Sequence, residues 1–265
     1  MKTIHLSIDE LLFSFYSEGF FEQGISIKEA YFPSLQDSEL KLMLEVASRS
    51  LLSKNMIKEV DNQYRLKDEY KSFIQILIKA ERTIKASKHL KNSNEEESIS
   101  LHFDKKEVYS HKVLSDNQVH SISKLSNDEI IPVITDFFQM KSLENESDVF
   151  CQLTSQEFEE LLEDVSQNSA TIHLITDKWV SKKGNTKSIL EFLHNLFNRR
   201  GKMDSLVSFT YDAQNHPNLM DIYFLIPGNK GLWLITRDNS QNLNVQKVDE
   251  VSISNLVLQK KIYSV

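Results

Sequence analysis

The sequence predicts an α+β fold in which a mostly helical N-terminal segment precedes an antiparallel sheet built from two related halves. Three observations carry this reading. Residues 5–88 show apolar positions at helical spacing around one short hairpin pattern. A polar, unpatterned stretch, residues 89–97, then breaks the chain. Beyond it, a pattern of three strands and a helix occurs twice, at an offset near 123 residues. At 265 residues, 40% hydrophobic and 26% charged, the chain is long enough to bury a substantial core and fits one large domain or two small ones.

In order along the chain, Ser7-Ile8-Asp9-Glu10 has the form of a capping box before Leu11, Leu12 and Phe15, and predicts a first helix whose end Gly19 and Gly24 bracket. Leu40, Leu44, Ala47, Leu51 and Leu52 predict a second helix over residues 38–53. Met56 to Val60 and Tyr64 to Leu66, around Asp61-Asn62-Gln63, predict a hairpin. Tyr70, Phe73, Ile74, Leu77, Ile78 and Ile84 predict a third helix from Asp68. Helices, hairpin and helix together resemble a winged-helix arrangement, an architecture that serves DNA and protein binding alike. The expected division is therefore a winged-helix-like segment at 1–88 and an α+β region at 98–265.

The first copy of the repeat, residues 98–140, runs through strands at Ile99 to Phe103, Val108 to Val113 and Val119 to Ile122, then a helix at 126–139. The second, within residues 206–265, has strands at Ile222 to Ile226, Leu232 to Thr236 and Leu243 to Val245, then a helix from Asp249. Ile122 maps to Val245, Leu125 to Val248 and Ile130 to Ile253, which predicts pseudo-twofold duplication. Between the copies we expect a helix at 155–165, a strand from Thr171 to Ile175, a helix at 187–199 capped by Gly201, and a strand from Leu206 to Tyr211.

Composition excludes several functions. The net charge of -7 lies in the middle third: residues 1–95 carry 14 basic and 14 acidic side chains, 96–200 carry 11 and 18, and 201–265 carry 6 and 6. Neither end has the basic footprint of a phosphate binder, which disfavours nucleic acid. A lone cysteine, Cys151, excludes an internal disulfide and points to a reducing compartment. No apolar run is long enough to span a bilayer and the N-terminus carries acids, so a cytoplasmic protein is expected. With 6 Gly and no phosphate-cradling motif, no cofactor is expected.

Candidate chemistry fares no better. His102, His111 and His120, nine apart across one meander, could share a face and bind metal. Ile99, Leu101 and Phe103, however, leave His102 on the polar side, and we expect no metal site. Cys151 with His173 or His194 lacks any local activation. Glu157, Glu159, Glu160, Glu163 and Asp164 read as the solvent face of one helix, opposite Phe158, Leu161 and Leu162. Arg65, Lys67 and Lys71 could meet phosphate, but Glu59, Asp61, Asp68 and Glu69 sit among them. We therefore expect no catalytic residues and no enzyme. The strand at Leu232 to Ile235 is apolar on both faces. It either offers a surface to a partner, through Tyr223, Trp233 and Ile235, or is covered by its own helices.

This organisation resembles the EspG-like accessory chaperones of type VII (ESX) secretion, in their Firmicute form. The resemblance rests on the leucine-rich opening helices, on Ser48-Arg49-Ser50-Leu51-Leu52-Ser53-Lys54-Asn55-Met56-Ile57 leading into a hairpin, on the duplicated halves, and on the strand at Gly231-Leu232-Trp233. It implies a cytosolic, cofactor-free binding protein whose partner is a helical secreted substrate or toxin. The alternative is a winged-helix transcriptional regulator contacting DNA through Arg49, Lys54 or Arg65, with a C-terminal sensing or dimerisation domain.

Overall fold

The computed structural model describes residues 2–90, 95–105, 107–140, 149–166, 172–183, 187–228, 231–248 and 250–258. Its elements are β1 (Lys2–Ser7), α1 (Ile8–Ser17), α2 (Phe21–Tyr31), α3 (Asp37–Ser53), β2 (Ile57–Val60), β3 (Gln63–Leu66), α4 (Asp68–Lys79), β4 (Arg82–His89), β5 (Glu96–Asp104), β6 (Glu107–Leu114), β7 (Val119–Leu125) and α5 (Ile130–Phe137). There follow β8 (Val149–Leu153), α6 (Ser155–Ser166), α7 (Ile172–Lys183), α8 (Lys187–Asn198), β9 (Asp204–Tyr211), β10 (Pro217–Gly228), β11 (Gly231–Arg237), β12 (Leu243–Lys247) and α9 (Glu250–Leu258). The fold is α+β, with a helical N-terminal region. Ten strands form one sheet in the order β1-β7-β6-β5-β4-β9-β10-β11-β12-β8, and β2 and β3 form a separate hairpin.

Connectivity repeats. From one end the sheet reads β1, β7, β6, β5, β4; from the other it reads β8, β12, β11, β10, β9. Each edge strand leads into helices, with the β2–β3 hairpin among them in the first half, then into four further strands of the large sheet and a closing helix. The repeat is thus longer than the sequence pattern revealed, because it begins at β1 and β8. Register supports the offset. Ile122 lies between Ile4 and His111, and Val245 lies between Cys151 and Ile235.

The helix starts repeat as well. The backbone N–H of Ser7 donates to Glu10 Oε2 at 2.9 Å, and that oxygen also accepts from Lys54 Nζ at 2.6 Å. In the second half the backbone N–H of Thr154 donates to Glu157 Oε2 at 2.9 Å, and Lys183 Nζ reaches the same oxygen at 2.7 Å. In each half, the carboxylate that caps the helix after the edge strand is held by a lysine at the far end of a later helix.

Contacts divide the chain into two compact units. The first comprises Met1–Thr83, Ile99–Asn127 and Tyr211–Pro217; the second comprises Ile84–Ser98, Asp128–Thr210 and Asn218–Val265. In the first unit, Ile4, Leu6, Leu11, Phe15, Leu51, Phe73, Ile74 and Ile122 fill the core, with Phe73 edge-on to Tyr109 at 5.3 Å. In the second, Trp233, Phe192 and Phe150 pack edge to face among Leu161, Trp179, Leu196 and Val245. No helix among the described residues is long and apolar enough to cross a membrane.

Several elements differ from expectation. Residues 171–175 read as a strand, yet Ile172–Lys183 is helical; Thr171 lies outside the described residues. Ile175 and Trp179, one turn apart, bury together, and this packing overrides the β propensity of the run. The third helix stops at Lys79, and Ile84 belongs to β4, where Thr83, Ile84, Ala86 and Ser87 are all buried. Gly24 lies inside α2 rather than at a helix end, because the Tyr16 ring packs against it. Of the expected linker, residues 91–94 lie outside the described residues, while β4 reaches His89 and β5 starts at Glu96.

Candidate functional site

Trp233 and Ile235 are 2% and 1% exposed, locked beneath α6, α7 and α8 by Phe150, Phe192 and Leu196. Of the two readings of this strand, the arrangement follows coverage by its own helices. Tyr223 is half-buried, and burial with the Asp221 carboxylate beside it pushes its phenol up to about 12.

The three histidines do converge. Directly opposed residues of an antiparallel ladder share a face. His102 opposes Tyr109, His111 opposes Ser100 and Ile122, and His120 opposes Leu6. The rings therefore lie on the same face as Ile4, Leu6, Tyr109 and Ile122, which line the core of the first unit. The expected polar side does not exist, since both faces of β5 are covered: Leu101 is fully buried and His102 only 9% exposed.

The rings line up in a row, His102 and His111 tilted with centroids 5.9 Å apart, His111 and His120 stacked at 5.2 Å. His111 Nε2 and His120 Nδ1 share a hydrogen bond of 3.0 Å. At the other end the Tyr211 hydroxyl donates to Thr83 Oγ1 at 3.0 Å, and Thr83 Oγ1 pairs with His102 Nδ1 at 3.0 Å. Burial lowers His102 to about 4, and burial with its two neighbours lowers His111 to about 3; burial lowers His120 as well. Among the described residues no group of three or more His, Cys, Asp or Glu is arranged to hold a metal ion.

Cys151 is half-buried against the core of the second unit, and burial pushes its thiol up, away from the nucleophilic thiolate. His173 and His194 are both exposed. The acids of α6 are not simply a solvent face. Glu160 accepts from Lys178 and Lys182 at 2.8 and 2.6 Å, Asp164 from Lys178 at 2.6 Å and from Trp179 Nε1 at 2.9 Å, and Glu157 from Lys183. The two lysines hold Glu160 down to about 2. Only Glu159 and Glu163 point fully to water. Around the hairpin, Asp68 pairs with Lys71 at 3.0 Å and with Lys58 at 3.6 Å, while Arg65 reaches Gln63 at 3.4 Å.

The lead-in to the hairpin has a physical meaning. Asn55 is left-handed (φ 58°), the N–H of Met56 returns to the carbonyl of Leu51 at 2.9 Å, and that of Asn55 to Leu52 at 2.9 Å. This is a Schellman stop, its apolar contact made by Leu51 and Met56.

Sequence reasoning missed a groove of about 490 Å³ in the first unit. Its floor is Phe13 of α1 with Leu40 and Leu44 of α3; Tyr64 of β3 forms a wall, and Asp37, Lys41 and Glu45 line one rim. Leu40 and Leu44, two of the apolar positions that predict the helix, are only half-buried. The available signal was the alternating charge at one-turn spacing beside them.

The family described as "Uncharacterised protein YfjC" matches residues 3–257. A Bacillus subtilis (strain 168) protein, "Uncharacterized protein YfjC", is 41% identical over 237 residues, covering 89% of this chain and 91% of the relative. Among solved structures, the Mycobacterium tuberculosis type VII secretion system chaperone EspG5, in complex with the PE25–PPE41 dimer, matches with a TM-score of 0.65 at 8% identity, over 99% of this chain and 98% of the matched chain. At that identity the likeness is one of fold. The family match spans the elements from β1 almost to the end of α9, and the chain belongs to the YfjC family.

Proposed function

We propose that this protein is a non-enzymatic cytosolic chaperone or adaptor that holds a helical secretion substrate. The observation that carries this reading is the likeness of fold to EspG5, a type VII secretion system chaperone whose structure includes a bound PE25–PPE41 dimer, across 99% of this chain. Surface composition supports it. Phe21 and Ile25 of α2 are 58% and 47% exposed, and Leu42 and Val46 of α3 are 60% and 49% exposed, an apolar helical surface suited to a protein partner. The groups that suggest chemistry are engaged in the fold instead: Glu157, Glu160 and Asp164 with α7 lysines, His111 with His120, and His102 with Thr83. Lys54, which DNA binding would use, is held at 2.6 Å by the buried carboxylate of Glu10.

The test is recovery of the tagged protein from its native host, with nuclease present, followed by mass spectrometry. A small helical secreted protein at near one-to-one stoichiometry is the expected result. Recovery of DNA when nuclease is omitted, with no protein partner in either case, would overturn the proposal in favour of a regulator.

A further inference from the structure

The groove of the first unit runs along one face of α3. Asp37, Leu40, Lys41, Leu44, Glu45 and Ser48 recur at helical spacing over three turns, a track about 16 Å long. Its volume falls within the usual range for small-molecule sites, about 300–1,000 Å³, but its chemistry does not suit one. Such sites orient their ligand through converging polar groups. Here the buried polar group of the lining is Ser48, and its hydroxyl already donates to the Glu45 carbonyl at 2.8 Å. What the groove offers is an apolar floor, an aromatic wall in Tyr64 (41% exposed), and an exposed rim whose charge alternates acidic, basic, acidic. An amphipathic helix supplies the complement: an apolar stripe for the floor, and side chains at one-turn spacing for the rim.

Charge also selects between partners. A second copy docking about a twofold axis would set Asp37 against Glu45 and Lys41 against Lys41, like against like at every position. A different chain with basic, acidic, basic residues at one-turn spacing meets the rim favourably, in either direction, because the pattern is palindromic. Glu45 already pairs with Arg49 at 3.5 Å, but both side chains are more than half exposed, so that pair yields at little cost.

We propose that this groove is the docking surface for an amphipathic helix of another protein, about three turns long, whose flank runs basic, acidic, basic. This rests on the chaperone reading and names a surface for it.

The probe is a pair of fluorescein-labelled amphipathic peptides with identical leucine stripes, one carrying Lys, Glu, Lys along its flank and the other Glu, Lys, Glu. Fluorescence anisotropy should show the wild-type protein preferring the first by about tenfold, the sum of three exposed pairs. The triple variant Asp37→Lys, Lys41→Glu, Glu45→Lys changes only exposed residues and should prefer the second by about the same factor. The exposed Tyr64→Ala should weaken the preferred peptide at least about fivefold. An unchanged preference in the triple variant, or unchanged affinity in Tyr64→Ala, would overturn the groove. Full recovery of a cellular client by the triple variant would also overturn it while leaving the chaperone reading intact. Peptide inversion without any client for the wild type would do the reverse.

Discussion

His102 and His120 are buried residues that happen to be titratable, and His111 lies half-buried between them. Their folded-state values lie below the usual 6.5, with His102 at about 4 and His111 at about 3, because the imidazolium form cannot be solvated where they sit. The unfolded chain therefore binds more protons than the folded one between those values and 6.5. Stability is complete above about pH 6.5 and falls as the pH drops, by about 1.4 kcal/mol per pH unit for each ring that charges on unfolding. We expect urea midpoints to decline steeply from pH 7 to 5, before most carboxylates titrate. His102→Phe should flatten that decline. A midpoint independent of pH across this window would contradict the burial of the row. The sequence showed the three residues and their spacing but hid their burial. Period-2 alternation gives only which residues share a face, whereas coverage of that face depends on elements distant in sequence.

At the scale of the element, four helices end in the same way. After α1, Gly19 (φ 83°) lets Phe20 N–H return to the carbonyl of Phe15 at 2.9 Å, and the two rings meet edge-on at 6.4 Å. The left-handed position is taken by Asn55 after α3, Gln139 after α5 and Arg200 after α8, with φ of 58°, 54° and 53°. Glycine adopts this conformation without the strain imposed by a Cβ. Gln139→Gly and Arg200→Gly should each stabilise the fold by about 0.5–1 kcal/mol, read as a higher urea midpoint at unchanged slope. Gly201→Ala should destabilise, since φ is 76° and its Cβ would lie 3.3 Å from Val165. Helix α8 and its stop near Gly201 were legible from local signals, as were α3, α6 and the hairpin, where left-handed Asp61 and Asn62 make the tight turn. The strands β1, β4 and β8 were not: β1 is short and opens the chain, β4 continues the apolar pattern of α4, and β8 follows an acidic stretch. The identity of α7 was set by contacts with α6 that no local pattern encodes.

For the whole molecule, the topological repeat and the compact units do not coincide along the chain. The first unit takes in Tyr211–Pro217, from the last residue of β9 to the first of β10, and the second takes in Ile84–Ser98, from within β4 to the start of β5. A fragment of residues 1–140 would lack Tyr211, which packs on the first core and donates to Thr83. We expect neither 1–140 nor 149–265 alone to give a cooperative urea transition, and co-expression of the two to restore one. Independent, fully cooperative folding of either fragment would show that the exchanged segments are dispensable. The capping carboxylates have a mechanical meaning too. A pull on the N-terminus that reaches Ser7 meets Glu10, and through Lys54 the load passes to the far end of α3 rather than unwinding α1 turn by turn. Glu157 and Lys183 form the same latch in the second half. Each half is thus buttoned by one lysine, and losing Lys54 or Lys183 would loosen two helices at once.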